Sequence, residues 1–157
     1  MTSSENPNPN QATGPQLKKK SMNLAPLIAT LYLALIAPDA LLDAIEQVES
    51  SGRGAETPDG AAGEIGPLQI RAGYLQDANE WAGTSFTHEE MRDPHKARFV
   101  VVAYLDRWGT YYERETGRKS TMETLARQHN GGGPNGWRLK ATEAYWRKVR
   151  KHLKEGE

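Results

Sequence analysis

The sequence predicts an α+β domain that is mainly α, with one small β-hairpin, and three observations carry that reading. Apolar residues recur at helical spacing in most segments that open with a capping signal. One internal stretch, Arg53 to Gly66 (RGAETPDGAAGEIG), is too rich in Gly, Pro and acid to be helical. The length of 157 residues suits a single domain with a short extension.

The elements follow in order. Asp39 is a candidate N-cap for a helix over Leu41 to Ser51, where Leu41, Ile45 and Val48 form one apolar stripe. The segment from Arg53 to Gly66 can hold a hairpin turning at Pro58-Asp59-Gly60. Pro67 suits the first position of a helix running through Trp81. Thr87 to Glu90 reads as a capping box for a short helix. Asp93-Pro94 opens the strongest helix, whose Ala97, Val101, Tyr104, Trp108 and Tyr111 define one buried face. Ser120 to Glu123 is a second capping box, opening a helix with Met122, Leu125 and Ala126 inward and His129 at its end. A tight loop spans Gly131 to Gly136. A last helix from about Lys140 is expected to bury Ala141, Tyr145, Val149 and Leu153 and to turn Arg147, Lys148, Arg150, Lys151 and Lys154 outward. There is no internal repeat.

Charge and cysteine content narrow the function classes. Net charge is zero, yet Pro38 to Glu90 holds eleven acidic residues against two basic ones, Arg53 and Arg71. Met91 to Glu157 reverses this, with fifteen basic against eight acidic, so the domain is a dipole. The basic half suits an anionic polymer or simply solvent. Zero cysteines exclude disulfides, thiol nucleophiles and thiolate metal sites. The histidines (His88, His95, His129, His152) show no ligand spacing, so no metal and no cofactor is expected.

Residues 1–21 form a polar N-terminus with a basic end, Lys18-Lys19-Lys20, and Met1 to Gln16 has the composition of disorder. Residues 22–38 contain an apolar run, Leu24 to Ala37, which is short for a membrane span of roughly twenty residues but suits a secretory h-region. A signal peptide is expected, and with it an exported protein. The cleavage context is poor, because Leu35 stands three residues before the cut, so an uncleaved anchor is the alternative. The folded, catalytic domain is expected over residues 39–154.

Three short motifs carry chemistry. Glu49, in AIEQVESSG, lies on the edge of an apolar helix face and at that helix's C-terminal end. Desolvation and the negative end of the helix dipole both disfavour ionisation, so its pKa is expected to be raised, as a general acid working near neutral pH requires. Asp59, in a polar turn, is expected to stay ionised as nucleophile or charge stabiliser, although turn chemistry alone would explain it. Glu64 is the reserve for that role. Gly131-Gly132-Gly133-Pro134 follows a helix and lacks the Gly-Lys-Ser/Thr ending of a phosphate loop, so it reads instead as a place of close backbone approach to a ligand. His129 and Asn130 beside it can bond sugar hydroxyls and acetamido groups. Tyr74, Tyr145 and Trp146 offer aromatic faces for pyranose stacking, although Tyr145 has core spacing.

Taken together, Val48-Glu49-Ser50, Asp59, Gly66-Pro67-Leu68-Gln69-Ile70, Tyr74-Leu75-Gln76-Asp77, Ala126-Arg127-Gln128-His129-Asn130-Gly131 and Thr142 to Val149 resemble the invertebrate-type (destabilase) lysozymes. More distantly they resemble the soluble lytic transglycosylases. The resemblance spans about Leu41 to Leu153. It implies a lysozyme-like fold and cleavage of peptidoglycan β-1,4 bonds, with Glu49 as acid and Asp59 as second carboxylate. Ser50, Gln69, Tyr74, His129, Asn130, Gly131 and Gly132 would then bind the glycan strand. The invertebrate group is disulfide-dense, so a cysteine-free chain suggests a bacterial member held by packing. Transglycosylases keep the Glu and need no Asp, which leaves hydrolase and transglycosylase both open. A monomer is expected, with no nucleic-acid partner, because its basic residues are not interleaved with exposed aromatics. The competing class is a lysozyme-like module that grips glycan without cutting it.

Overall fold

The computed structural model describes residues 39–155. The polar N-terminus and the apolar segment read above as an export signal lie outside them. Five α-helices make up the domain: α1 (Asp39–Ser50), α2 (Ala72–Ala82), α3 (Pro94–Thr116), α4 (Met122–Gly131) and α5 (Thr142–Glu155). Short 3-10 turns at Gly54–Glu56, His88–Arg92 and Gly133–Arg138 connect them. The fold is mainly α, consistent with the lysozyme-like fold that the sequence resemblance implies. Among the described residues no helix is long and apolar enough to cross a membrane.

The architecture is arranged around α3. Asp93 caps it by accepting from the backbone N–H groups of His95 (2.8 Å) and Lys96 (3.2 Å), and Pro94 fills the first position. The helix ends at Gly117 in the left-handed region (φ 68°). Both α2 and α4 pack on α3, while α1 and α4 pack on α5. With partners on several sides, α3 buries Val100, Val101, Val102, Ala103, Tyr104 and Leu105 in succession. A single stripe is therefore too narrow a description of it, and Trp108 and Tyr111 at the end of that stripe are only half-buried. Leu41, Ile45, Leu68, Ile70, Met91 and Val149 complete the core. Each such side chain stabilises the fold by about 1.5–3 kcal/mol relative to exposure.

Several sequence expectations are corrected. The hairpin over residues 53–66 is a loop ending in one isolated antiparallel bridge, Ile65–Ile70, closed by backbone bonds of 3.0 and 2.9 Å. Pairing does not propagate past Glu64 and Arg71, because the chain turns into α2 at Ala72. Helix α2 starts at Ala72 rather than Pro67, because Gly66 to Gln69 form the turn of that bridge (Gln69 N–H to Gly66 O, 3.0 Å) and bury Pro67 inside it. Thr121, not Ser120, caps α4, accepting from the Thr124 N–H, while the Ser120 hydroxyl donates to Gly109 O. Met122 is exposed as a result. The last helix begins at Thr142 and leaves Ala141 exposed, since the buried Thr142 hydroxyl is held by Arg127 and by the Gly136 and Leu139 carbonyls.

The capping box at Thr87 forms as expected, with Glu90 accepting from the Thr87 N–H at 2.7 Å. Lys96 lies 2.6 Å from the same carboxylate, and the two interactions lower its pKa from 4.5 to about 2, the Lys96 bond being the larger cause. A depressed folded-state value stabilises the fold fully above 4.5, and that contribution drains away as pH falls from about 4.5 to about 2. Denaturant titrations across this window are expected to show a shallower loss of stability for Glu90→Gln than for the wild type.

Candidate active site

A cleft of about 600 Å³ opens between the bridge loop, α2 and the end of α4. Glu49 reaches it from the last turn of α1. Its lining includes Gln69 and Tyr74 from the second motif and His129, Asn130, Gly131 and Gly132 from the third. Three motifs separated along the chain thus meet in one cavity.

Glu49 is four-fifths buried as a side chain (20% exposed), and two groups from distant helices hold it. The Tyr145 hydroxyl, from α5, donates to its Oε1 at 2.7 Å. His129 Nε2, from α4, approaches the same oxygen at 3.6 Å, which is too long for a hydrogen bond but close enough for strong electrostatics. Burial is the largest single influence on the carboxyl and pushes its pKa up, and the Glu64 carboxylate adds to that. The His129 imidazole and the Tyr145 hydroxyl act the other way and outweigh them, leaving the pKa below its usual value. The expected upward shift is therefore overturned. Desolvation is present, but no local signal forecasts that His129 from α4 and Tyr145 from α5 converge on this carboxyl.

Those partners are themselves fixed. Burial and the Glu49 charge push the Tyr145 phenol well above its usual pKa, so it remains a donor. His129 Nδ1 lies 2.9 Å from the Tyr74 hydroxyl, and Tyr74 stacks on Tyr104 with ring centroids 3.5 Å apart. The Tyr104 hydroxyl accepts from the Gly133 N–H at 2.5 Å. A single aromatic assembly therefore joins the glycine loop to Glu49.

The second carboxylate differs from expectation. Asp59 does not line the cleft, and Arg92 grips it at 2.6 and 2.9 Å. Glu64 does line it, bonded to the Ala62 N–H and to Arg71 Nε at 2.8 Å across the Ile65–Ile70 bridge. Arg71 leads the causes that hold its pKa below the usual value. Ser50 is not brought to the cleft either. It is buried, and its hydroxyl donates to Glu46 O at 3.0 Å, closing α1.

Gln69 spans the loop, its amide donating to Gly66 O (2.9 Å) and Pro58 O (3.3 Å). Its backbone is left-handed (φ 48°), a conformation that a non-glycine residue adopts at some cost. Of the three aromatics proposed for stacking, Tyr74 lines the cleft, Tyr145 is buried with its hydroxyl on Glu49, and Trp146 packs half-buried against the core. Sequence reasoning missed Arg71, Gly73, Asp77 and Tyr104 as lining residues. Arg71 carried a usable signal as one of two cations in the acidic half; Tyr104 gave none beyond core periodicity.

No protein-family model matches the chain. A stretch of 49 residues, 31% of the chain, is 47% identical to Lysozyme 1 of Crassostrea virginica. The matched part spans about a quarter (24%) of that protein's length. The chain is thus related in part to a lysozyme.

Proposed function

We propose that the cleft is the active site of a muramidase-like glycosidase that cuts the β-1,4 bonds of peptidoglycan, with Glu49 protonating the leaving sugar oxygen. One contrast carries the reading. Asp59, Glu64 and Asp77 are each paired with an arginine (Arg92, Arg71 and Arg107), whereas Glu49 meets only Tyr145 and His129. A carboxyl that must alternate between charged and neutral forms cannot sit beside a fixed cation, which would hold it ionised. The partial likeness to a lysozyme supports the same chemistry. Because peptidoglycan lies outside the membrane, export is part of this proposal.

Glu64 is the better candidate for stabilising positive charge on the sugar, since it shares the cleft with Glu49 and Asp59 does not. A second reading, a lytic transglycosylase using Glu49 alone, is favoured by the arginine partners that bind both other carboxylates. Mass spectrometry of digested wall sacculi separates the readings. Reducing muramic ends, with activity lost on the order of a hundredfold in Glu64→Gln and nearly intact in Asp59→Asn, are the expected result. Anhydromuramic ends that persist in both variants would make the enzyme a transglycosylase. Collapse in Asp59→Asn alone would return the role to Asp59, and sacculi bound but never cut would make the domain a glycan-gripping module.

A further inference from the structure

We propose that Tyr74 is a positioning residue for Glu49, acting through His129: it holds the imidazole in the tautomer whose proton is on Nε2, so that an N–H faces the carboxyl. This rests on the reading of Glu49 as the acid, although the tautomer itself does not. The Tyr74 hydroxyl is 2.9 Å from Nδ1, and no other partner for it is found among the described residues. Burial keeps that phenol protonated, its pKa being well above the usual value. With its proton on the oxygen and Nδ1 as its acceptor, the phenol donates to the ring. A neutral imidazole that accepts at Nδ1 carries its own hydrogen on Nε2.

The geometry fixes both rings. Tyr74 is clamped face to face on Tyr104 (interplanar 12°), and His129 meets its edge at 74°. The His129 side chain is 4% exposed, so bulk water does not compete for its nitrogens. The groups facing it come from every neighbouring element: Glu49 from α1, Tyr74 from α2, Tyr104 from α3 and Tyr145 from α5, with Glu64 across the cleft.

The tautomer matters at the moment of transfer. When Glu49 gives its proton to the glycosidic oxygen, the O–H bond electrons stay on the carboxylate. That new charge meets two donors, Tyr145 O–H and His129 Nε2–H, the second needing to close from 3.6 Å. The opposite tautomer would aim a nitrogen lone pair at the same oxygen and repel it. Tyr74 thereby turns an N–H of the ring, rather than its lone pair, toward the acid.

The test is nitrogen NMR of the histidine side chains in the full chain at alkaline pH, with the His129 signal assigned by its loss in His129→Gln. The wild type is expected to show protonated Nε2 and bare Nδ1, and Tyr74→Phe, which keeps the stacked ring, to lose that fixed pattern. In steady-state assays on soluble glycan fragments, Tyr74→Phe is expected to lower kcat on the order of tenfold with KM unchanged. A wild-type proton on Nδ1, a fixed Nε2 proton in Tyr74→Phe, or a change confined to KM would each overturn the proposal. A wild type that cuts no glycan would instead sink the proposed function, and the nitrogen spectra would still decide whether Tyr74 sets the tautomer.

Discussion

Glu49→Gln is expected to slow the clearing of wall suspensions on the order of a hundred- to ten-thousand-fold, the usual contribution of acid catalysis. The substitution preserves size and still offers an oxygen to the Tyr145 hydroxyl, so folding should survive. Wild-type activity should also carry the acid's signature in its pH profile. For the acid proposed here the reactive form is the protonated carboxyl, and the Glu49 pKa is below the usual value. The rate therefore falls as pH rises through that pKa, and the enzyme works best on the acid side. The Gln variant should lose this slope along with the rate. A Gln variant as fast as the wild type would remove Glu49 from the chemistry altogether.

Gly66→Ala is expected to be the most damaging small substitution in stability. Gly66 has φ 76°, and an added Cβ would overlap the backbone carbonyl of Met91, a residue with no exposure. Neither the carbonyl nor its surroundings can yield cheaply, so the cost should be about 3–5 kcal/mol, a large share of a typical stability of about 5–15 kcal/mol. Gly63 is the control, with φ 79° and nothing within 4 Å of its would-be Cβ. Gly63→Ala should lose only the left-handed preference, about 1–2 kcal/mol. Urea midpoints for the two variants measure the difference, and equal midpoints would show that backbone strain alone explains Gly66.

The helices were readable where a local signal had no competitor, as at Asp93-Pro94 and in the Thr87–Glu90 box. They were misread where two signals competed. Pro67 fits a helix start, yet it was claimed by the turn between Ile65 and Ile70. Ser120 and Thr121 could each cap α4, and the bond from Ser120 to Gly109 O decided between them. The cleft was readable in the same uneven way. Glu49, Gln69, Tyr74, His129, Asn130, Gly131 and Gly132 belong to compact motifs, and all of them line it. The roles of Asp59 and Glu64 depended on which arginine each carboxylate met. Arg92 is far from Asp59 in sequence, and nothing local forecasts that pairing.

The bond between Glu49 and Tyr145 crosses 96 residues, the widest separation of any side-chain contact described above. Chains emerge from the ribosome N-terminus first, and long-range contacts form late. Until the last helix has been made, the Glu49 carboxyl lacks its Tyr145 partner. That partner reaches it only when the last helix docks. If Glu49 is the acid proposed above, an incompletely folded chain is expected to be catalytically silent, and the appearance of activity during refolding to report the final docking event rather than the earlier growth of helix.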